Sequence, residues 1–131
     1  MEVVAVTAAQ RAKQVLTDLN QSAIDGVYCF NLPPQVQDET EQTVVLITEV
    51  NDLPTTYGSN RTNEMEETVA VNLFYAENSA VNFDHVELAI VDAFEEHGWY
   101  CTYSPGHSLD PDTLQVTKVF QFKHLIRKDD I

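Results

Sequence analysis

Positive charge is scarce in this sequence. Lys and Arg together number 7 against 21 Asp and Glu in 131 residues, which gives a formal net charge of −14. A field of that sign repels phosphates and excludes a basic-patch mode of binding to DNA, RNA or an anionic membrane surface. The one local run of basic residues, Lys123, His124, Arg127 and Lys128, is expected as a solvated tail after the last strand. Cysteine is nearly absent: Cys29 and Cys101 each fall in an apolar, strand-like run, where a free thiol behaves as a small hydrophobe and no disulfide is expected.

Other absences bear on chemistry. The four His residues, 85, 97, 107 and 124, are scattered, no pair has zinc-site spacing, and Cys-x-x-Cys is missing, so neither a metal nor a cofactor is expected. The four Gly residues lie too far apart to cradle a phosphate. A Cys101–His107 dyad has no nucleophile motif around it. "DPDT" (110–113) offers two carboxylates without the oxygen-ligand alternation of a calcium loop, and an Asx turn is expected there. No apolar run approaches the roughly 20 residues of a membrane helix. "MEVVAVTAA" carries Glu2 where a signal peptide would be positively charged, so a cytoplasmic location is expected. With no constellation of catalytic groups, the expectation is a non-enzyme.

What is present is clear periodicity, at a length and 44% hydrophobic content suited to one domain over residues 1–131. Thr7 and Gln10 form a capping-box pair, and Ala8, Ala12, Val15, Leu16 and Leu19 then recur on one face, predicting a helix over about 7–21. "GVYCFNL", closed by Pro33 and Pro34, and "TVVLITEV" read as strands, with "PPQVQDETEQ" as an acidic turn between them. Residues 68–75 alternate as a long strand. "NFDHVELAIVDAFEEHG" reads as a helix capped by Asn82 and ended by Gly98, with Phe83, Val86, Ile90, Ala93, Phe94 and His97 as its buried stripe. "WYCTY" and "LQVTKVFQF" complete the strands, the latter with Leu114, Val116, Phe120 and Phe122 on one side.

Between two strands lies 51–63, rich in Pro, Gly, Ser, Asn and Thr, which reads as a long loop. Its length exceeds an ordinary hairpin connection, so it is expected to be disordered until it meets a partner. Strands that follow one another without an intervening helix pair as antiparallel hairpins. The predicted fold is therefore a two-layer α+β sandwich, a mainly antiparallel sheet with two helices on one face.

The segment "TTYGSNRTNEMEETVAVNLFYAENSAVNFDHVELAIVDAFEEHGWY" resembles the minor tail, or tail-completion, proteins of long-tailed phages and prophages of Gram-positive bacteria. In these a "YGSN" loop precedes a "VAVNLFY" strand and a capped helix ending in "HGWY". The resemblance extends from about Asp52 to the C-terminus. It implies a tail-terminator-like fold and a structural role in the virion tail: a ring, a hexamer in that family, that caps the tail tube protein and faces the head connector protein. The partners so implied are other copies of the chain, the tube and the connector, with no sequence-specific nucleic acid and no membrane. Tyr57 and Arg61 are then the expected interface anchors, since aromatics and Arg dominate interface energy. Glu64, Glu66 and Glu67 are the acids expected to face a lumen through which DNA slides. Six such chains would carry roughly −84 formal charges, enough to shape that passage. The alternatives are a head–tail connector or other minor tail protein, an acidic DNA mimic, and an enzyme whose site is unrecognised.

Overall fold

Capping decides where the helices begin. Gln10 N donates to Thr7 Oγ1 and Thr7 N to Gln10 Oε1, each at 3.1 Å, and α1 runs Ala8–Leu19 from that reciprocal box. Asn20, at φ 50°, supplies the left-handed residue that ends it. The elements that follow are β1 (Gly26–Cys29), a short α2 (Pro34–Gln37), β2 (Val44–Gly58), β3 (Arg61–Phe74), α3 (Phe83–Glu96), β4 (Trp99–Tyr103), β5 (Ser108–Leu109) and β6 (Val116–Arg127). The structure is a computed structural model that describes residues 7–59 and 61–131, apart from the side chains of Thr56 and Tyr57.

The fold is α+β, with a mixed, mostly antiparallel sheet ordered β1-β2-β3-β6-β4 and β5 beside the start of β6. One pairing departs from expectation: β1 and β2 run parallel, Gly26 opposite Val44 and Cys29 opposite Ile47. The residues between them, including α2, return the chain to the edge where β1 began, so β2 sets out in the same direction. Asp25 and Thr43 hold the two strand starts together, Asp25 N donating to Thr43 O and Thr43 N to Asp25 Oδ2, both at 2.8 Å. A connection of this length is what a parallel pair requires, whereas a hairpin can close in two residues.

Helices α1 and α3 both lie on one face of the sheet. Ala9 and Ala12, fully buried, let α1 approach closely enough for Cys29 Sγ to donate to Ala9 O at 3.5 Å. On α3, Phe94 stacks on Phe122 of β6 with centroids 4.1 Å apart and meets Trp99 edge-on. Val45, Ile47, Val69, Val71, Leu73 and Phe120 complete this core. Each such side chain contributes about 1.5–3 kcal/mol by leaving water. His97, expected in the buried stripe, is exposed at the helix end with Nδ1 2.8 Å from Ala93 O, because the stripe finishes one turn earlier at Phe94. Leu114, expected on the face of the last strand, precedes it in a left-handed conformation (φ 60°) and is exposed.

Among the described residues no helix covers the second face of the sheet. Its central rows, Thr48, Ala70 and Gln121, then Asn51, Thr68, Lys123 and Tyr100, follow from the strand registers.

Candidate functional site

The segment expected as a loop is an arm of sheet. β2 and β3 stay paired from Val44–Phe74 to Gly58–Arg61, with a single register shift beside Val50. Ser59 sits at φ 52°, the left-handed geometry that tight hairpin turns require. Thr62 Oγ1 donates to Thr55 O at 2.9 Å across the arm. Pro54 survives in β2 because β1 pairs only with Val44–Ile47, so this half of β2 is an edge whose outer side needs no N–H donor. The turn-forming composition was real, but it marks the end of a paired arm and an edge strand rather than a dozen unstructured residues. The disorder expected of this segment is likewise replaced by pairing.

The residues singled out in the sequence part company here. Arg61 opens β3 at the tip and is exposed. The side chain of Tyr57 lies outside the described residues; its backbone pairs with Thr62. Glu64 and Glu66 alternate onto the bare face, where Glu66 Oε1 meets Lys123 Nζ at 3.0 Å. That hydrogen bond and the Glu66 charge push the Lys123 ammonium pKa up. Glu67 faces the other way, with a side chain wholly shielded from solvent, and is not an exposed acid. One residue of strand alternation separates the two environments.

Glu67 holds α1 to the sheet. Arg11 Nε donates to Glu67 Oε2 at 3.1 Å, and Arg11 Nη2 donates to Oε1. His124 Nδ1 lies 3.0 Å from Oε2; an ionised carboxylate only accepts, so Nδ1 carries the proton. Trp99 stacks on the His124 ring with centroids 4.6 Å apart. Burial alone raises the Glu67 pKa, but the hydrogen bonds from His124 and Arg11, with their charges, outweigh it and hold it below the usual carboxylate range. The basic run expected as a tail is therefore mostly strand: Lys123, His124 and Arg127 belong to β6, and the first two are tied to Glu66 and Glu67.

A second network, buried at Tyr75 and Glu87, had no signature in the sequence. Tyr75 OH donates to Glu87 Oε2 at 2.6 Å, and His107 Nε2 lies 2.7 Å from the same oxygen. Burial first, then the bond to Glu87, pushes the Tyr75 phenol far above its ordinary pKa. The three residues come from just past the end of β3, the interior of α3 and the loop after β4, so only the folded chain brings them together. Cys101 takes no part, its Sγ donating instead to Tyr103 O at 3.6 Å. The "DPDT" segment is the expected Asx turn, with Asp110 Oδ1 accepting from Asp112 N at 2.9 Å. Among the described residues no three His, Cys, Asp or Glu converge as metal ligands.

The bare face is the feature best suited to contact another molecule. Around its half-buried centre stand exposed Val50, Leu53, Tyr100, Tyr103 and Leu125. Thr68 is buried within it, and its Oγ1 has no hydrogen-bond partner. No described helix is long and apolar enough to cross a membrane.

Residues 7–127 match a family described as "Protein of unknown function (DUF806)". No curated protein matches the sequence. Among solved structures the chain is similar to the PVC sheath/tube terminator of an extracellular contractile injection system in its extended state, determined by cryo-EM, at 10% identity and a TM-score of 0.47. The alignment covers 95% of this chain and 58% of that one, so this chain spans little more than half of that protein's length.

Proposed function

The chain belongs to that family of unknown function, and we propose that it is a structural subunit that completes the tail of a long-tailed phage or prophage: a terminator that caps the tail tube as a ring and offers a surface for joining the head. The observation that carries this reading is the division of the sheet. One face is sealed by two helices, while among the described residues the other carries no helix and has exposed Tyr, Leu and Val side chains beside a hairpin arm. A sheet face of that composition is built to be covered by another protein surface. The tail-completion pattern over residues 55–100 supports the same assignment, and the arm that it identifies as "YGSN" lies beside the bare face.

In this reading the arm's tip reaches the tail tube or a neighbouring subunit, with Arg61 and Tyr57 as anchors. Of the three acids, Glu64 has no ion pair among the described residues and is the one left to face an acidic lumen, whereas Glu66 is held by Lys123 and Glu67 is buried. The role is mechanical, so no catalytic group is assigned. Gold-labelled antibody against the chain, applied to tailed particles and viewed by electron microscopy, tests it: label confined to the head-proximal end of the tail is expected. Label spread along the tail would identify a tube subunit, and unlabelled particles would remove the chain from the virion.

A further inference from the structure

On the helix face of the sheet, a cavity of about 220 Å³ lies where α1, the end of α3 and β6 meet. Two of the chain's four imidazoles line it, His97 and His124. They come from separate elements, His97 from the cap of α3 and His124 from β6, so their spacing in the sequence carries no metal-site signature.

Each ring is fixed by a bond at the same nitrogen. His97 Nδ1 lies 2.8 Å from Ala93 O. A carbonyl oxygen only accepts, so Nδ1 carries the proton and Nε2 of the neutral ring keeps its lone pair. His124 is set in the same way by Glu67 Oε2, 3.0 Å from its Nδ1, and the Trp99 ring stacked on it holds its plane. Among the described residues neither Nε2 has a hydrogen-bond partner. A ring whose Nδ1–H is taken by a carboxylate or a backbone carbonyl is oriented, and made more basic, for binding a metal ion through Nε2. Gly98 brings the two rings into one neighbourhood. It follows His97 at φ 84°, and a methyl group placed on it would lie 3.6 Å from His124 Nε2.

The surrounding charges suit a cation. Arg11 also lines the cavity, but its guanidinium is matched by two bonds to Glu67. Asp18, on the same wall, accepts from Gln14 Nε2 at 2.9 Å and forms no ion pair among the described residues. Lys13 lines a different cavity. Glu95 and Glu96 stand exposed at the end of α3, and a chain at −14 concentrates cations around it.

We propose that His97 and His124 together hold a divalent transition-metal ion of the zinc, nickel or copper class through their Nε2 atoms, the ions that imidazole ligands suit. Metal-to-nitrogen bonds of about 2.0–2.1 Å place the ion inside the cavity. Water fills its other positions, since each water needs only about 30 Å³ of that space. The ion ties the end of α3 to β6, beside the Glu67 carboxylate that fastens α1. Its role is structural and independent of what covers the bare face.

Calorimetric titration of the untagged chain with zinc chloride tests the site, with thermal unfolding followed by circular dichroism. One zinc ion per chain is expected, together with a rise in the unfolding temperature, because an ion that binds only the folded state stabilises it. His97→Ala, at an exposed helix end, should weaken binding by about tenfold or more, and His124→Gln should do the same. His124 also serves Glu67, so if His124→Gln fails to fold, His97→Ala decides the question alone. His85→Ala, exposed on α3 and outside the cavity, should bind zinc as the wild type does. Absence of saturable zinc binding, binding that survives His97→Ala unchanged, or an equal loss in His85→Ala would each overturn the proposal.

Discussion

Replacing Arg11 with Ala probes how α1 is fastened to the sheet. The Glu67 side chain is fully shielded and Arg11 is 20% exposed, so the pair sits at the protein's edge with its acidic partner inside. Arg11→Ala removes both guanidinium bonds and leaves a buried carboxylate with His124 as its remaining partner. Stranding one member of a buried pair costs about 3–5 kcal/mol. With a urea m-value of about 2 kcal/mol/M, the unfolding midpoint at pH 7 should fall by about 1.5–2.5 M without a change in slope. Arg11→Lys should recover part of the loss, since it restores the charge without the two-pronged geometry. The acid dependence has a defined sign. The folded pKa of Glu67 is depressed, so its contribution is complete above the unfolded value of about 4.3 and disappears as pH falls through the lower folded value. The gap between wild type and Arg11→Ala should therefore close below about pH 4.3. Urea melts monitored by far-ultraviolet circular dichroism at pH 7 and across the acid range measure both effects. A loss at pH 7 smaller than about 1 kcal/mol, the scale of an exposed pair, would refute the claim that this pair is buried and holds α1 in place.

Three further substitutions test other parts of the account. Thr7→Ala breaks the capping box of α1 and should cost about 1 kcal/mol in thermal or urea unfolding. Tyr75→Phe removes the 2.6 Å bond to Glu87 and should cost about 1.5–3 kcal/mol, the range for a hydrogen bond to a charged group; a neutral result would show that His107 alone satisfies Glu87. Thr68→Val replaces a hydroxyl that has no partner in the single chain, so stability should change by less than about 0.5 kcal/mol or rise. A clear loss in the same melts would reveal a partner for that hydroxyl.

Where local chemistry determines structure, the sequence was readable. Thr7 with Gln10, and Asn82 with Gly98, mark helix ends through bonds made within a few residues, and both helices lie where those residues place them. The β2–β3 arm was misread because Pro54, Gly58 and Ser59 are turn formers whose effect depends on whether a strand is internal or at an edge, and edge position is a property of the whole sheet. The parallel pairing of β1 has the same origin, since nothing in "GVYC" states which way its neighbour runs. Glu67 was grouped with Glu64 and Glu66 by sequence proximity, yet strand alternation sends it to the opposite face, where Arg11 waits 56 residues away. The Tyr75–Glu87–His107 network is less legible still, being assembled from three separate elements.

Tail length measures the central claim most directly. Electron microscopy of lysates from a phage deleted for this gene should show overlong or headless tails beside normal, full capsids, as expected if the chain stops tube growth and licenses joining. Tails of normal length attached to heads would contradict the terminator role.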